Sequence, residues 1–474
     1  MNDLTFLPAV SMAGQVRKKK ISPVELVETH LAQIERLNPR LNAFVHVEAE
    51  RARQAAQAAE TEVMHKEKLG PLHGVPLSIK SSIDVAGLRC ESGTRLRTGF
   101  IPSQDAPLVA RLRTAGAIVL GVTNTPEFLM AWETDNLLYG RTNSPWSLER
   151  TPGGSSGGEA AAIAAGMSAG GVGSDGGGSI RVPAHFSGIC GLKPTPGRIP
   201  STRHYPVSAG PFALISVVGP MARTVTDLKI LFEIMQGPDL GDTCAAPVPV
   251  RWPTEGDTRK LRIGYFEDDN RTPVTPETRA AVHIAVEALR SAGFQVEHFQ
   301  PEGLEEARQL WHKFFVVASG MLLRPMFKGR DSELSPLLKQ FLEWSAAEPA
   351  LTGPTLLDVW IQTDAVRARF LRQMQRYPVL LCPAAAIPAF RHGERSWQVE
   401  GKTVHYLDAW SYTEFFNLLG NPAVVVPVSH SSEGLPIGVQ IVGRPWEEEQ
   451  VLSVAAALER ECGAWKIPPI AESA

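Results

Sequence analysis

Between Thr151 and Ala184 the chain reads TPGGSSGGEAAAIAAGMSAGGVGSDGGGSIRVPA, which sets serine hydroxyls beside glycine-rich backbone twice in quick succession. A run such as Gly176, Gly177, Gly178, Ser179 allows consecutive backbone N–H groups to turn toward one point. That arrangement makes an anion nest, or an oxyanion hole beside a hydroxyl nucleophile. The chemistry these residues could perform is therefore serine attack on a carbonyl. Three other readings compete for the same residues. Gly171 to Gly176 matches a dinucleotide-loop spacing, but it follows an Ala-rich helical run where that loop must follow a strand. Gly154 to Gly158 formally matches a hydrolase nucleophile elbow around Ser156, yet the preceding SPWSLERTP is a polar, proline-bounded loop rather than a buried strand. Ser156 and Glu159 read best as a capping box opening the helix EAAAIAAGM. That assignment leaves Ser155 and Ser179 for chemistry.

A serine nucleophile needs a group to take its proton. The chain has 12 histidines, and none sits in a recognisable catalytic signature. His73 and His185 lie nearest the relevant segments, and structural roles are expected for both. Lys80 is the more suggestive base. In GVPLSIK the apolar residues Val75, Leu77 and Ile79 alternate, so the segment reads as a strand that carries Lys80 to its end on the opposite face. Burial can strip a lysine of its charge, and a neutral amine beside a hydroxyl is a competent base. Composition alone leaves Lys80 as a surface residue.

The segments LHGVPLSIKSSIDVAG, GVTNTPEF, RTNSPW, TPGGSSGGEAAAIAAG, GSDGGGSIRVPAHFSGICGLKPT and GPMARTVTDL follow one another in the order and wording of the amidase signature family, which this chain resembles. Downstream, LRIGYFEDDNRTPVTPETRAAVHIAVEALRSAGFQVE is similar to that family's later strand and helix unit, and FNLLGNPAVVVPVSHSSEGLPIGVQIVGRPWEEEQVL to its closing segment. The resemblance implies an α/β fold, one large domain over residues 1–474 with a central mixed β-sheet covered by helices on both faces, and a signature core over 70–200. It implies a Ser-Ser-Lys triad with Ser179 as nucleophile, Ser155 as bridging serine on a cis peptide bond, and Lys80 as base. By the same resemblance Gly176, Gly177, Gly178 and Ser179 supply the oxyanion hole, and Met130, Trp132 and Tyr139 approach the cleft. The implied activity is hydrolysis of C–N bonds in small apolar or aryl amides through an acyl-enzyme, with no cofactor and no metal. Two variants accompany it. One is a carbamate or ester hydrolase using the same triad. The other is the glutaminase-type subunit of a tRNA-dependent amidotransferase, although GRIPSTRHYPVSAGPFALISVVGPMART departs from the tyrosine–glycine and serine-rich run those subunits usually carry.

Around this core, Asp175 and Arg181 read as a charge pair bracing the loop, and Cys190 as a small packing residue. SPVELVETHLAQIERLNPRLNAFV has helical apolar spacing, with Ser22 as N-cap and Pro23 at the first helical position. Residues 303–377 read as a helical variable region in which Trp311, Phe314, Phe315, Met321, Met326 and Trp344 mostly serve a core, with a cover over the cleft as the second reading. A net charge of −3 with 20% charged residues gives no basic field for nucleic acid. The cluster from Arg17 to Lys20 reads as a solvated patch. Cysteines at 90, 190, 244, 382 and 462 have neither disulfide-framework nor metal spacing, which fits a reducing cytoplasm. No signal-like or membrane-length apolar run is evident, so the expectation is an enzyme away from membranes, monomer or homodimer, acting on a small molecule.

Overall fold

The computed structural model describes residues 4–65, 68–463 and 465–472. Its strands are β1 (Phe44–Val47), β2 (Pro76–Lys80), β3 (Ile118–Thr123), β4 (Gly170–Asp175), β5 (Cys190–Lys193) and β6 (Val217–Ala222). The later strands are β7 (Arg262–Tyr265), β8 (Gln295–His298), β9 (Val379–Pro383), β10 (Ser396–Val399), β11 (Lys402–His405), β12 (Ala423–His430) and β13 (Pro436–Gly443). All but β10 and β11, which form a separate hairpin, join one sheet in the order β1-β3-β2-β4-β6-β5-β12-β13-β9-β7-β8. The sheet is mixed. β3, β2 and β4 run parallel, as do β9, β7 and β8, and the strands between them pair antiparallel. Helices flank this sheet, as an α/β architecture requires of strands apolar on both faces.

The site rests on the parallel end of that sheet. All five residues of β2 are buried, as are all six of β3 and of β4. The alternation seen in GVPLSIK therefore separates two covered faces rather than core from solvent. The helix Pro23–Leu41 forms as its spacing predicts, with the Ser22 hydroxyl accepting from the N–H of Val24 and Glu25 and Pro23 in its first turn. The unit β7, helix Pro276–Ser291 and β8 forms a parallel crossover, and FNLLGNPAVVVPVS leads into the antiparallel β12–β13 pair.

The region 303–377 is helical, with helices Leu304–His312, Ala318–Leu323, Pro336–Ala346 and Gly353–Gln373. A π-turn over Lys313–Val317 joins the first two. Trp311, Phe314 and Phe315 are buried there in a large aromatic cluster, as expected. Met321 and Met326 are instead exposed, at 40% and 43%. Among the described residues no helix is long and apolar enough to cross a membrane.

Candidate active site

Lys80 ends β2 with no exposed surface. Its Nζ lies 2.6 Å from Ser155 Oγ, 2.9 Å from Ser156 Oγ and 3.0 Å from Ser174 Oγ. Burial pushes the amine well below the ordinary lysine range, against the opposing pull of the Asp175 and Glu159 carboxylates. An amine whose nearest side-chain partners are hydroxyl oxygens is poised to exchange protons with them.

Ser155 stands at the turn that opens the helix Gly157–Ala164, and the Gly154–Ser155 peptide bond is cis. Its carbonyl accepts from Thr125 Oγ1 at 2.8 Å, which ties the turn to the segment after β3. Gly154 is required by close approach: a Cβ there would sit 2.5 Å from the Glu133 carbonyl oxygen. Ser179 is 7% exposed and faces a cleft with Ser155 and Ser174. The structure thus brings Lys80, Ser155 and Ser179 to one place, from three separate segments of sequence.

Ser156 differs from the capping-box expectation. Its backbone sits at φ −93°, ψ 38°, outside the extended conformation that points a cap side chain at the first-turn amides, and it makes no side-chain cap hydrogen bond. Its hydroxyl joins the lysine cluster instead. Glu159, the other half of the expected box, accepts from Ser78 Oγ at 2.6 Å and Thr123 Oγ1 at 2.7 Å. Burial raises its carboxyl to about 7. Sequence reasoning missed Ser174 and the places that Ser156 and Glu159 take around Lys80. A signal existed in the Ser78/Lys80 spacing, which puts both side chains on one face of β2.

Gly176, Gly177 and Gly178 form the turn from β4 to Ser179. The Gly178 N–H donates to Asp175 Oδ1 at 2.7 Å, so Gly178 is not a free oxyanion donor as expected. Among the described residues the N–H groups of Gly176, Gly177 and Ser179 meet no acceptor. Asp175 also accepts from Ile180 N at 3.0 Å and from Arg181 Nε and Nη2, each at 3.0 Å. Burial alone would raise the Asp175 carboxyl, but the Arg181 charge and hydrogen bonds hold it below the usual carboxylate range. Asn417 Nδ2 and Thr413 O complete this buried clasp. The bracing pair expected from the sequence is present.

The histidines singled out in the sequence are structural. His185 is held between the Gly438 and Ile387 backbones, and His73 Nε2 meets Ala59 O at 2.9 Å. Cys190 is buried, and burial together with Glu459 drives its thiol well up. His204, which no sequence signal marks, faces the cleft. Burial lowers it to about 4, and it meets Ser82 Oγ and the Pro206 carbonyl.

Of the three expected cleft contacts, only Met130 lines the cavity. Trp132 is buried beneath the loop, its indole N–H donating to Gly177 O at 2.7 Å. Tyr139 lies elsewhere, because Asn136 Oδ1 captures the Leu138 and Tyr139 amides and turns the chain toward a groove beside Asn42, and the Tyr139 hydroxyl donates to Glu91. The cleft encloses about 300 Å³. Phe128, Met130, Phe212, Phe315, Leu323 and Met326 give it apolar walls, the last three from the helical region. Its titratable lining is limited to Asp175, His204 and Tyr205, with no lysine or arginine among the described residues.

The amidase family model matches residues 25–452. An indoleacetamide hydrolase of Bradyrhizobium diazoefficiens is 35% identical, covering 96% of this chain and 86% of that protein. A glutamyl-tRNA(Gln) amidotransferase subunit of Geotalea daltonii is 34% identical, covering 97% of this chain and 98% of its own. The crystal structure of a bacterial aryl acylamidase of the amidase signature family superposes with a TM-score of 0.86 at 27% identity, covering 99% of both chains. With near-complete coverage in sequence and in fold, the chain belongs to the amidase family and is an amide-hydrolysing enzyme.

Proposed function

We propose that the chain hydrolyses apolar, aryl-bearing amides through an acyl-enzyme on Ser179. Neutral Lys80 takes the Ser155 hydroxyl proton as Ser155 takes that of Ser179, and Ser179 Oγ bonds to the substrate carbonyl carbon. The N–H groups of Gly176, Gly177 and Ser179 receive the oxyanion. The proton returns through Ser155 to the leaving nitrogen as the C–N bond breaks. Water then adds to the acyl carbon, giving its proton to the same relay, and Ser179 leaves with the acid as product. The observation that carries this reading is the buried lysine amine 2.6 Å from a serine hydroxyl that shares a cleft with a second serine beside unpaired backbone amides.

The cleft supports the substrate class. Apolar walls favour an uncharged aryl or alkyl group over a charged one. Free glutamine carries an α-carboxylate, which the described cleft has no cationic side chain to pair with, so the glutaminase reading is disfavoured. Esters and carbamates present the same carbonyl to the same machinery and are expected as secondary substrates. A hydrolysis screen over anilides, arylacetamides, aliphatic primary amides, esters, carbamates and glutamine tests this. The expected result is preference for aryl amides, lost in Ser179→Ala. Preferential glutamine hydrolysis, or near-wild-type turnover by Ser179→Ala, would overturn it.

A further inference from the structure

The glycine loop has little shape of its own, yet each of its carbonyls is held. Asp175 O accepts from Asn417 Nδ2 at 3.1 Å, and Gly178 O from Val182 N at 2.7 Å. Gly177 O accepts from Trp132 Nε1 at 2.7 Å and Thr413 Oγ1 at 3.0 Å, and Gly176 O from Trp311 Nε1 at 2.7 Å. In a trans peptide the C=O and the following N–H point in opposite directions. Whatever grips the Gly176 carbonyl therefore aims the Gly177 N–H the other way. That N–H is one of the three without a protein acceptor among the described residues.

Trp311 reaches this carbonyl from the helix Leu304–His312, within the helical region 303–377 and more than a hundred residues beyond the loop it grips. Its ring stacks on Phe315, with centroids 4.8 Å apart and planes 14° apart, and Phe315 lines the cleft. The two rings lie against the loop so closely that glycine is obligatory beneath them. A Cβ on Gly177 would come within 2.5 Å of Trp311 Cζ2, and one on Gly176 within 2.7 Å of Phe315 Cε2. Packing and hydrogen bonding thus converge on the same two peptides.

We propose that Trp311 is a positioning residue for the reaction: its indole N–H holds the Gly176 carbonyl and so aims the Gly177 N–H at the developing oxyanion. The inference rests on the acyl transfer at Ser179 proposed above. Because the donor comes from the helical region that walls the cleft, that region contributes to the alignment of the catalytic loop as well as to substrate contact. A purely structural indole would stabilise the fold without favouring the transition state over the ground state.

Two changes in the full-length protein test this. Trp311→Phe keeps an aromatic ring against Phe315 and removes the donor. Replacement of Trp311 by benzothienylalanine, which carries sulfur in place of the indole N–H, keeps the shape and keeps the test available should Trp311→Phe fold poorly. For an aryl anilide the expected result is a kcat about tenfold or more lower, from misalignment of an oxyanion donor, with KM within about twofold. Affinity for an aryl trifluoromethyl ketone, which adds to the nucleophile as a tetrahedral oxyanion, should fall by the same factor, with affinity for the matching uncharged aryl alcohol unchanged. Unchanged kcat and ketone affinity, or equal losses for ketone and alcohol, would overturn the inference. A wild-type enzyme that forms no ketone adduct at Ser179 would instead overturn the acyl-transfer reading beneath it.

Discussion

Replacing Lys80 with Met removes the amine and leaves an apolar side chain of similar length in the same buried site. Three contacts are lost, to Ser155, Ser156 and Ser174 at 2.6, 2.9 and 3.0 Å. At about 1 kcal/mol net for each hydrogen bond, the loss approaches ~3 kcal/mol. Relief from burying an amine opposes it, so the change in stability should be smaller than that sum. The catalytic effect should be larger. Loss of general-base assistance costs about 100 to 10,000-fold, or about 2.7 to 5.4 kcal/mol of barrier. The assay is kcat/KM for an aryl amide from pH 5 to 10, with thermal unfolding of the same samples. Wild-type activity should fall on the acid side as Lys80 takes a proton, because burial places its titration below that of an ordinary lysine. In Lys80→Met that titration and its plateau should vanish, leaving a small residual rate that climbs with hydroxide across the whole range. Stability carries a matching sign. Between the depressed folded value and the unfolded value of about 10.5, the unfolded chain holds more protons, so wild-type stability should rise with pH relative to the variant. A variant within about threefold of wild-type activity, below even modest general-base assistance, with the acid limb intact would refute the role assigned to Lys80.

Asp175→Asn strands the Arg181 guanidinium in a fully buried site, so chemical denaturation should show a loss of about 3 to 5 kcal/mol. Gly178→Ala forces a side chain onto φ +111° and within 2.3 Å of Thr413 Oγ1, so kcat should fall by about 100-fold or more as the loop shifts. Glu159, raised by burial from 4.5 to about 7, gives stability that is complete below about pH 4.5 and lost as pH rises through about 7. Glu159→Gln should flatten that slope in denaturation midpoints measured from pH 4 to 8. Ser22→Ala, far from the cleft, removes a cap of two amides and should cost about 0.5 to 2 kcal/mol with kcat unchanged, measured by urea unfolding and steady-state kinetics on one preparation.

The reaction class was legible because the residues proposed to carry it sit on short, strongly patterned segments. Lys80 ends a strand whose alternation is visible, and a glycine run beside Ser179 gives backbone amides the freedom to converge on one point. The mixed sheet and its flanking helices followed from resemblance over the whole chain rather than from periodicity, since strands buried on both faces, such as β3 and β4, show little alternation. What stayed hidden depends on contacts far apart in sequence. Ser156 reads locally as a cap, but its hydroxyl is claimed by a lysine 76 positions away. Gly178 reads as one more free amide, but Asp175 takes it because the loop folds back on that carboxylate. Tyr139 reads as a cleft aromatic until Asn136 turns the chain away. Trp311 reads as core, and its donor role depends on meeting a carbonyl 135 residues earlier.

Active-site labelling tests the central claim most directly. Intact enzyme is treated with an aryl fluorophosphonate and its peptides are read by mass spectrometry, with Ser179→Ala and Lys80→Met as controls. The expected result is one modified residue, Ser179, with loss of amide turnover in proportion to labelling, much slower labelling in Lys80→Met and none in Ser179→Ala. Modification of Ser155 or another residue in place of Ser179, or full amide turnover by enzyme labelled at Ser179, would contradict it.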